Sequence, residues 1–198
     1  MATALAPDQT RRWTPDEVRA LITEDQPSPR YELIDGELLV TPSPFAPHQR
    51  MVLQLALRLA PYVEEHGFGE LFTSPADIAF DPTSLLQPDV FVVPPDSRPA
   101  ERWDAVRALT LAIEIPSKGS HRTDRGKKRL FYQRHRVDEY WIVDLKARLV
   151  ERWRPDDERP EILRERLTWA PRPDVPPLAL DLLALFDRVL GPEPEATL

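Results

Sequence analysis

Three features of the sequence carry the groups that phosphoryl chemistry needs. Asp89 follows Pro88 and opens the apolar run Val90–Val93; Glu114 stands near the end of Leu109 to Ile115; Lys127 and Lys128 lie in a basic stretch shortly after. Cutting a phosphodiester calls for a divalent cation that neutralises charge and sharpens a water nucleophile. Hard Mg2+ is held by one or two carboxylates, completed by waters and substrate oxygens. Asp89 and Glu114 can supply the carboxylates, and a lysine ammonium can stabilise the developing charge or orient the attacking water. The plainer roles are a strand-start aspartate that accepts backbone hydrogen bonds for Asp89 and a structural ion pair with an arginine for Glu114. An acid inside an apolar strand costs several kcal/mol to bury charged and alone, so Glu114 demands a cation, a metal or a cavity.

The elements that must position these groups can be traced from periodicity. Thr14 to Ile22 reads as a short opening helix with Thr14 as cap and Pro15 at its first position. Tyr31 to Val40 reads as two strands joined by Asp35-Gly36, a pair suited to a two-residue hairpin turn. His48 to Glu65 places Met51, Val52, Leu55, Leu59, Tyr62 and Val63 at helical spacing, with a kink expected at Pro61. Strands are expected at Glu70 to Thr73, Asp77 to Phe80, Asp89 to Val93, Leu109 to Ile115 and Glu139 to Asp144. The last of these pairs with RLVERW across a turn near Lys146-Ala147, a second helix starts from Thr123, and Leu178 to Leu190 closes the chain as a small helix. The expectation is one α/β domain over 1–198, with an N-terminal helix and linker in 1–30 and the closing helix at 178–190.

Composition narrows the chemistry. The 198 residues include 41% hydrophobic and 30% charged residues, the balance of a globular chain and not of a disordered one. There is no cysteine, which removes thiolate nucleophiles and cysteine-ligated zinc, and His48, His66, His121 and His135 lack zinc-type spacing. No stretch approaches the roughly 20 apolar residues of a membrane helix, no export leader is evident, and a cytoplasmic setting is expected. Between Lys118 and Arg136 eight basic residues face one acid, Asp124, a local +7 in a chain of net charge −7, which leaves −14 elsewhere. Such a stripe can hold a phosphate backbone through Arg122, Arg125, Lys127 and Arg129, or it can be a solvated helix face.

The segments YELIDGEL (31–38), Pro47-His48-Gln49, QPDVFVV (87–93), LAIEIPS (111–117), DRGKKRLFY (124–132) and EYWIVD (139–144) together resemble the PD-(D/E)xK nuclease superfamily, and more closely its Uma-two family of restriction endonucleases. The likeness runs through most of the chain, and six short motifs in one order are specific. It implies a restriction-endonuclease-like core with a mixed central β-sheet flanked by helices. It also implies Mg2+ (or Mn2+) on Asp89 and Glu114, hydrolysis of nucleic acid with DNA favoured, and a homodimer. One departure stands out: the superfamily pattern places lysine two residues after the acid, where this chain has Pro116. In the family a lysine of the next helix takes that place, which assigns the role to Lys128, with Lys127 and Lys118 as lesser candidates. Glu37, His48, Asp77 and Tyr132 are candidate accessory groups and Glu32 a further possible acid; the plainer roles are a place at the front of its helix for His48 and edge-strand solvation for the acids. The rival expectation is a non-cleaving interaction protein of the same fold, in which Pro116 marks a decayed lysine site.

Overall fold

Thr14 and Glu17 cap each other at the start of the first helix: the Glu17 N–H donates to Thr14 Oγ1 (3.3 Å) and the Thr14 N–H to the Glu17 carboxylate (2.9 Å), a capping box for α1 (Pro15–Arg19). The structure, a computed structural model, describes residues 11–21, 29–41, 43–99, 101–117 and 119–192; Ile22, expected in this helix, and Lys118 lie outside them. The hairpin β1 (Arg30–Ile34) and β2 (Glu37–Thr41) turns on Asp35 and Gly36, both at positive φ (51° and 77°), as the two-residue turn requires. The apolar stripe of α2 (Ala46–His66) buries Met51, Leu55, Leu59, Tyr62 and Val63, and the helix runs on through Pro61 to a left-handed Gly67 cap.

A six-stranded mixed sheet follows, in the order β3-β4-β5-β6-β7-β8: β3 (Glu70–Thr73), β4 (Val90–Val93), β5 (Leu111–Glu114), β6 (Glu139–Asp144), β7 (Leu149–Trp153) and β8 (Glu161–Leu163). All neighbours are antiparallel except β5 and β6, which are parallel. A parallel pair needs a crossover. Here it consists of α3 (His121–Thr123), a π-helical turn (Asp124–Lys128) and α4 (Arg129–Arg134). The crossover leaves β5 directly after Glu114, so its first turns lie over the end of the strand that carries the acid.

Side chains alternate across the sheet. Val90, Val92, Leu111, Ile113, Trp141 and Val143 join α2 and α5 (Leu182–Leu190) in one apolar core. Phe91, Val93, Ala112, Tyr140 and Ile142 face the other way, against Phe131 and Tyr132 of α4. Val90 pairs with Ile113, so one step further along both strands Asp89 lies opposite Glu114, with both side chains on the α4 face. Cross-strand neighbours of this kind stand about 4.5–5.5 Å apart at Cβ, so the register itself brings the two acids together.

The structure corrects several expected elements. Residues 77–80 form no strand: this stretch makes one isolated bridge, Ile78 to Leu86, and beyond it Asp81 accepts the N–H and hydroxyl of Thr83 in a turn. The stretch from Leu178 is not one helix: β10 (Leu178–Asp181) pairs with β9 (Arg166–Trp169) before α5 begins, and Asp181 caps α5 through the Ala184 N–H (3.0 Å). Strands β8, β9 and β10 were not anticipated. The second helix begins at His121, two residues earlier than expected. Among the described residues no helix is long and apolar enough to cross a membrane.

Leu59 is fully buried at the centre of the α2 stripe. Leu59→Ala should lower unfolding free energy by about 2–5 kcal/mol, the cost of a core Leu-to-Ala cavity, read as a lower urea midpoint with an unchanged denaturant slope.

Candidate active site

Each element contributes one or two groups to a single buried cluster. From the crossover, Lys128 Nζ donates to Glu32 (2.8 Å to Oε2, 2.9 Å to Oε1) and to Glu114 Oε1 (2.9 Å), with Asp124 Oδ1 at 3.8 Å. Tyr132, one helical turn beyond Lys128, donates its hydroxyl to the same Glu114 oxygen (3.1 Å). Glu32 also accepts the Gln87 N–H (2.9 Å), which ties the hairpin to the chain leading into β4. Asp89 takes its bonds from three directions: Arg30 Nη2 on Oδ1 (3.0 Å), and His48 Nε2 (3.0 Å) and the Ile115 N–H (2.8 Å) on Oδ2. A carboxylate only accepts, so His48 Nε2 carries the hydrogen in that bond.

The electrostatics follow from burial. Glu32, Asp89, Glu114 and Asp124 bring four carboxyls into one low-dielectric region, against the permanent charges of Arg30 and Lys128. Burial drives the Glu114 carboxyl well above its ordinary range, Glu32, Asp89 and Asp124 add to this, and the Lys128 ammonium opposes it without offsetting it. Asp124 is raised for the same reasons, burial first. Burial alone would also raise Asp89, but the hydrogen bond and charge of His48, with Arg30 and the Ile115 N–H, outweigh it and hold Asp89 below its ordinary value. Lys128 is raised despite burial, because Glu114, Glu32 and Asp124 surround it.

These residues line a cavity of about 10 Å³, roughly the room for the centre of one water, bounded by Arg30, His48, Asp89, Glu114, Lys128 and Ser117 among others. His48 Nδ1 and Ser117 Oγ are buried without a hydrogen-bond partner among the described residues. A bound water or phosphate oxygen would complete such groups. An adjoining cleft of about 160 Å³ shares Thr41, Ser120, Asp124 and Lys128 with the cavity.

The residues singled out from the sequence divide into two groups. Asp89, Glu114, Lys128, Tyr132 and His48 come together. Glu37 and Lys127 do not join them: they pair with each other at the exposed outer side of the hairpin. Asp77 accepts a hydrogen bond from Gln87 (2.7 Å) and is not part of the cavity lining. Of the basic run, Arg125 is bound to Asp144 (2.7 Å) and Glu151 (2.6 Å), and Arg129 donates to Gln133 (2.7 Å) and lies 4.7 Å from the Trp153 ring centroid. Arg122 is exposed on α3. Two contributors carried a weaker sequence signal. Glu32 stands next to the buried Leu33 and Ile34 in β1; Arg30, at the start of the same strand, had no signal, since its partner Asp89 lies 59 residues away.

The chain matches the model of the Uma2 family, described as "Putative restriction endonuclease", over residues 15–183, and it belongs to that family. It is similar in fold to a solved structure described as "a putative nuclease belonging to DUF820 from Anabaena variabilis ATCC 29413", with a TM-score of 0.72 at 23% identity over 89% of this chain and 99% of the other. No curated protein matches it.

The donor set fits a hard divalent cation. Among the described residues no three acids or histidines form a ready-made ligand cage, but Mg2+ is held by one or two carboxylates with water and substrate oxygens making up the rest. The cluster's four carboxyls outnumber its two cations, Arg30 and Lys128, and a divalent ion would offset that imbalance.

Removing the lysine tests this balance. Lys128→Met should destabilise the fold by about 3–5 kcal/mol, the cost of leaving a buried charge uncompensated, measured by urea unfolding at neutral pH. Lys127→Met, which breaks only an exposed pair, should cost no more than about 1 kcal/mol.

Proposed function

We propose that this chain is a metal-dependent nuclease that hydrolyses phosphodiester bonds in nucleic acid, with DNA the first substrate to test. What supports the reading most is one observation: two carboxylates face each other in register on neighbouring strands, and Lys128, arriving from the crossover, bonds to one of them in a shared cavity. That arrangement fills the role left open at Pro116, which is why the nuclease reading is preferred to a decayed, non-cleaving fold. Asp89 and Glu114 would hold Mg2+ or Mn2+, and the ion when bound supplies Lewis-acid stabilisation and an activated water.

The protein's own groups divide the remaining work. Arg30, His48 and the Ile115 N–H fix the Asp89 carboxylate in place. Tyr132 and Lys128 hold Glu114, and Lys128 presents an ammonium where charge accumulates on the transferring phosphoryl group. Glu32 anchors that ammonium against rotation. The buried setting strengthens each of these interactions relative to water.

Incubation of plasmid, single-stranded DNA and RNA with Mg2+ or Mn2+ should give cleavage that chelation abolishes. Glu114→Gln and Lys128→Ala should each lose about 100-fold or more in rate, the scale of removing one preorganised charge-stabilising group. Saturating Mg2+ at about 100 times its Kd should stabilise the wild type by about 2.7 kcal/mol and Asp89→Asn much less, seen as a shift in thermal unfolding. Folded wild type that neither cuts any substrate nor binds metal by calorimetry would overturn the proposal.

A further inference from the structure

An exposed apolar side chain is ordinary when it stands alone. Leu130 on α4, Ile162 on β8 and Leu183 on α5 are of this kind, each about half exposed and the single such residue of its element. The outer side of α2 differs. Leu53 and Leu57 are 55% and 59% exposed and lie one turn apart, opposite the buried stripe of Met51, Leu55 and Leu59.

The charges of this face are arranged about Leu57. Arg50 stands seven residues before it and Glu64 seven after, and both are exposed. Seven residues return to within about 20° of the same side of a helix and span about 10.5 Å of its length. The three residues therefore form one row, positive at one end, apolar in the middle and negative at the other. A second row at the same spacing, Ala46, Leu53 and Ala60, runs beside it, the heptad pattern of helices that pack lengthwise. Neither Arg50 nor Glu64 has an ion-pair partner among the described residues; Arg50 Nη1 donates to the Val189 carbonyl (3.2 Å), and its other N–H groups make no bond there.

A row with this order of charges is complementary to itself when turned end for end. In a two-fold contact residue i meets j while j meets i, so Arg50 of each copy meets Glu64 of the other and Leu57 meets its own counterpart. Parallel pairing would instead set arginine against arginine and glutamate against glutamate. Leu57 is one residue from the middle of α2, so antiparallel helices centred on it overlap over nearly their whole length.

We propose that this face of α2 binds a second copy of the chain, the two helices antiparallel about a two-fold axis at Leu57, with Arg50 of each copy paired to Glu64 of the other. The proposal rests on this face alone and goes beyond the nuclease reading.

Sedimentation equilibrium of the full chain over a concentration series should show a mass that rises from 22.8 kDa toward twice that value. Arg50→Glu and Glu64→Arg should each weaken association by at least about tenfold, because each sets like charges against one another twice in every dimer. Mixing the two variants in equal amounts should restore association, since each reversed charge then meets its opposite, and the double variant Arg50→Glu/Glu64→Arg should regain it within one chain. Both positions are exposed, so the variants should fold, as thermal unfolding would verify. Three results overturn the proposal: wild type that stays at the mass of one chain throughout, which would leave the face to a different partner; association that neither reversal weakens, which would place the contact elsewhere; and single variants that remain apart when mixed.

Discussion

Lys128 is buried between Glu32 and Glu114, and neither charge could stay in the interior without the other. Desolvating an ammonium or a carboxylate costs several kcal/mol per ion, recovered only when geometry is close and remaining hydrogen bonds are satisfied. The structure meets those conditions through three separate elements. The hairpin supplies Glu32, the central strand supplies Glu114, and the crossover supplies both Lys128 and the Tyr132 hydroxyl. The hairpin belongs to a two-stranded sheet of its own. Its seat against the main body is made by this ion pair together with the Gln87 N–H bond to Glu32, the Leu33–Leu85 bridge, the Arg30–Asp89 pair and the burial of Ile34 in the core.

The basic run of the crossover is divided among tasks by helical geometry. Arg125 reaches down to Asp144 and Glu151 on β6 and β7, Lys127 reaches outward to Glu37, and Lys128 points inward. The π turn sets this division. The Asp124 carbonyl accepts the Arg129 N–H, five residues on, and the Tyr140 hydroxyl as well (3.1 Å), which locks the turn to β6. π turns of this kind occur frequently at functional sites, and here the turn spans the two buried charged residues Asp124 and Lys128.

Much of this was legible in the sequence because burial imposes period. The α2 stripe, the Asp35-Gly36 turn and the apolar runs of β4, β5 and β6 each reflect a local rule, and an acid at position 114 inside such a run announced that something must offset it. The elements that were missed obey no local rule. Strand β8 is mostly exposed at the sheet edge, and β9 and β10 are defined by each other and by the core residues Leu167, Trp169 and Leu180. The run at 77–80 alternates like a strand yet lacks a continuous partner. At the site, Arg30 and the anchoring part played by Glu32 were hidden because their partners lie 59 and 96 residues away. The same distance effect made the basic run read as a phosphate track, since the acids that neutralise it are scattered through the hairpin, β6 and β7.

In the proposed nuclease site, Pro116 is the backbone constraint that sends the lysine to another element. Position 116 shares its strand parity with Glu114, so a lysine there would lie beside the acid on the same face. Proline instead removes a backbone donor and resists continuation of a central strand, and β5 ends at Glu114. The chain leaves the sheet at once, and the ammonium comes back from the crossover, fourteen residues after Glu114. A lysine delivered this way is only as well placed as the helix that carries it. The Arg125 clamp, the Tyr140 bond to the π turn, and the packing of Phe131 and Tyr132 against the sheet supply that rigidity. On the proposed reading, the placement of the ammonium thus rests on the packing of the whole crossover and not on one strand.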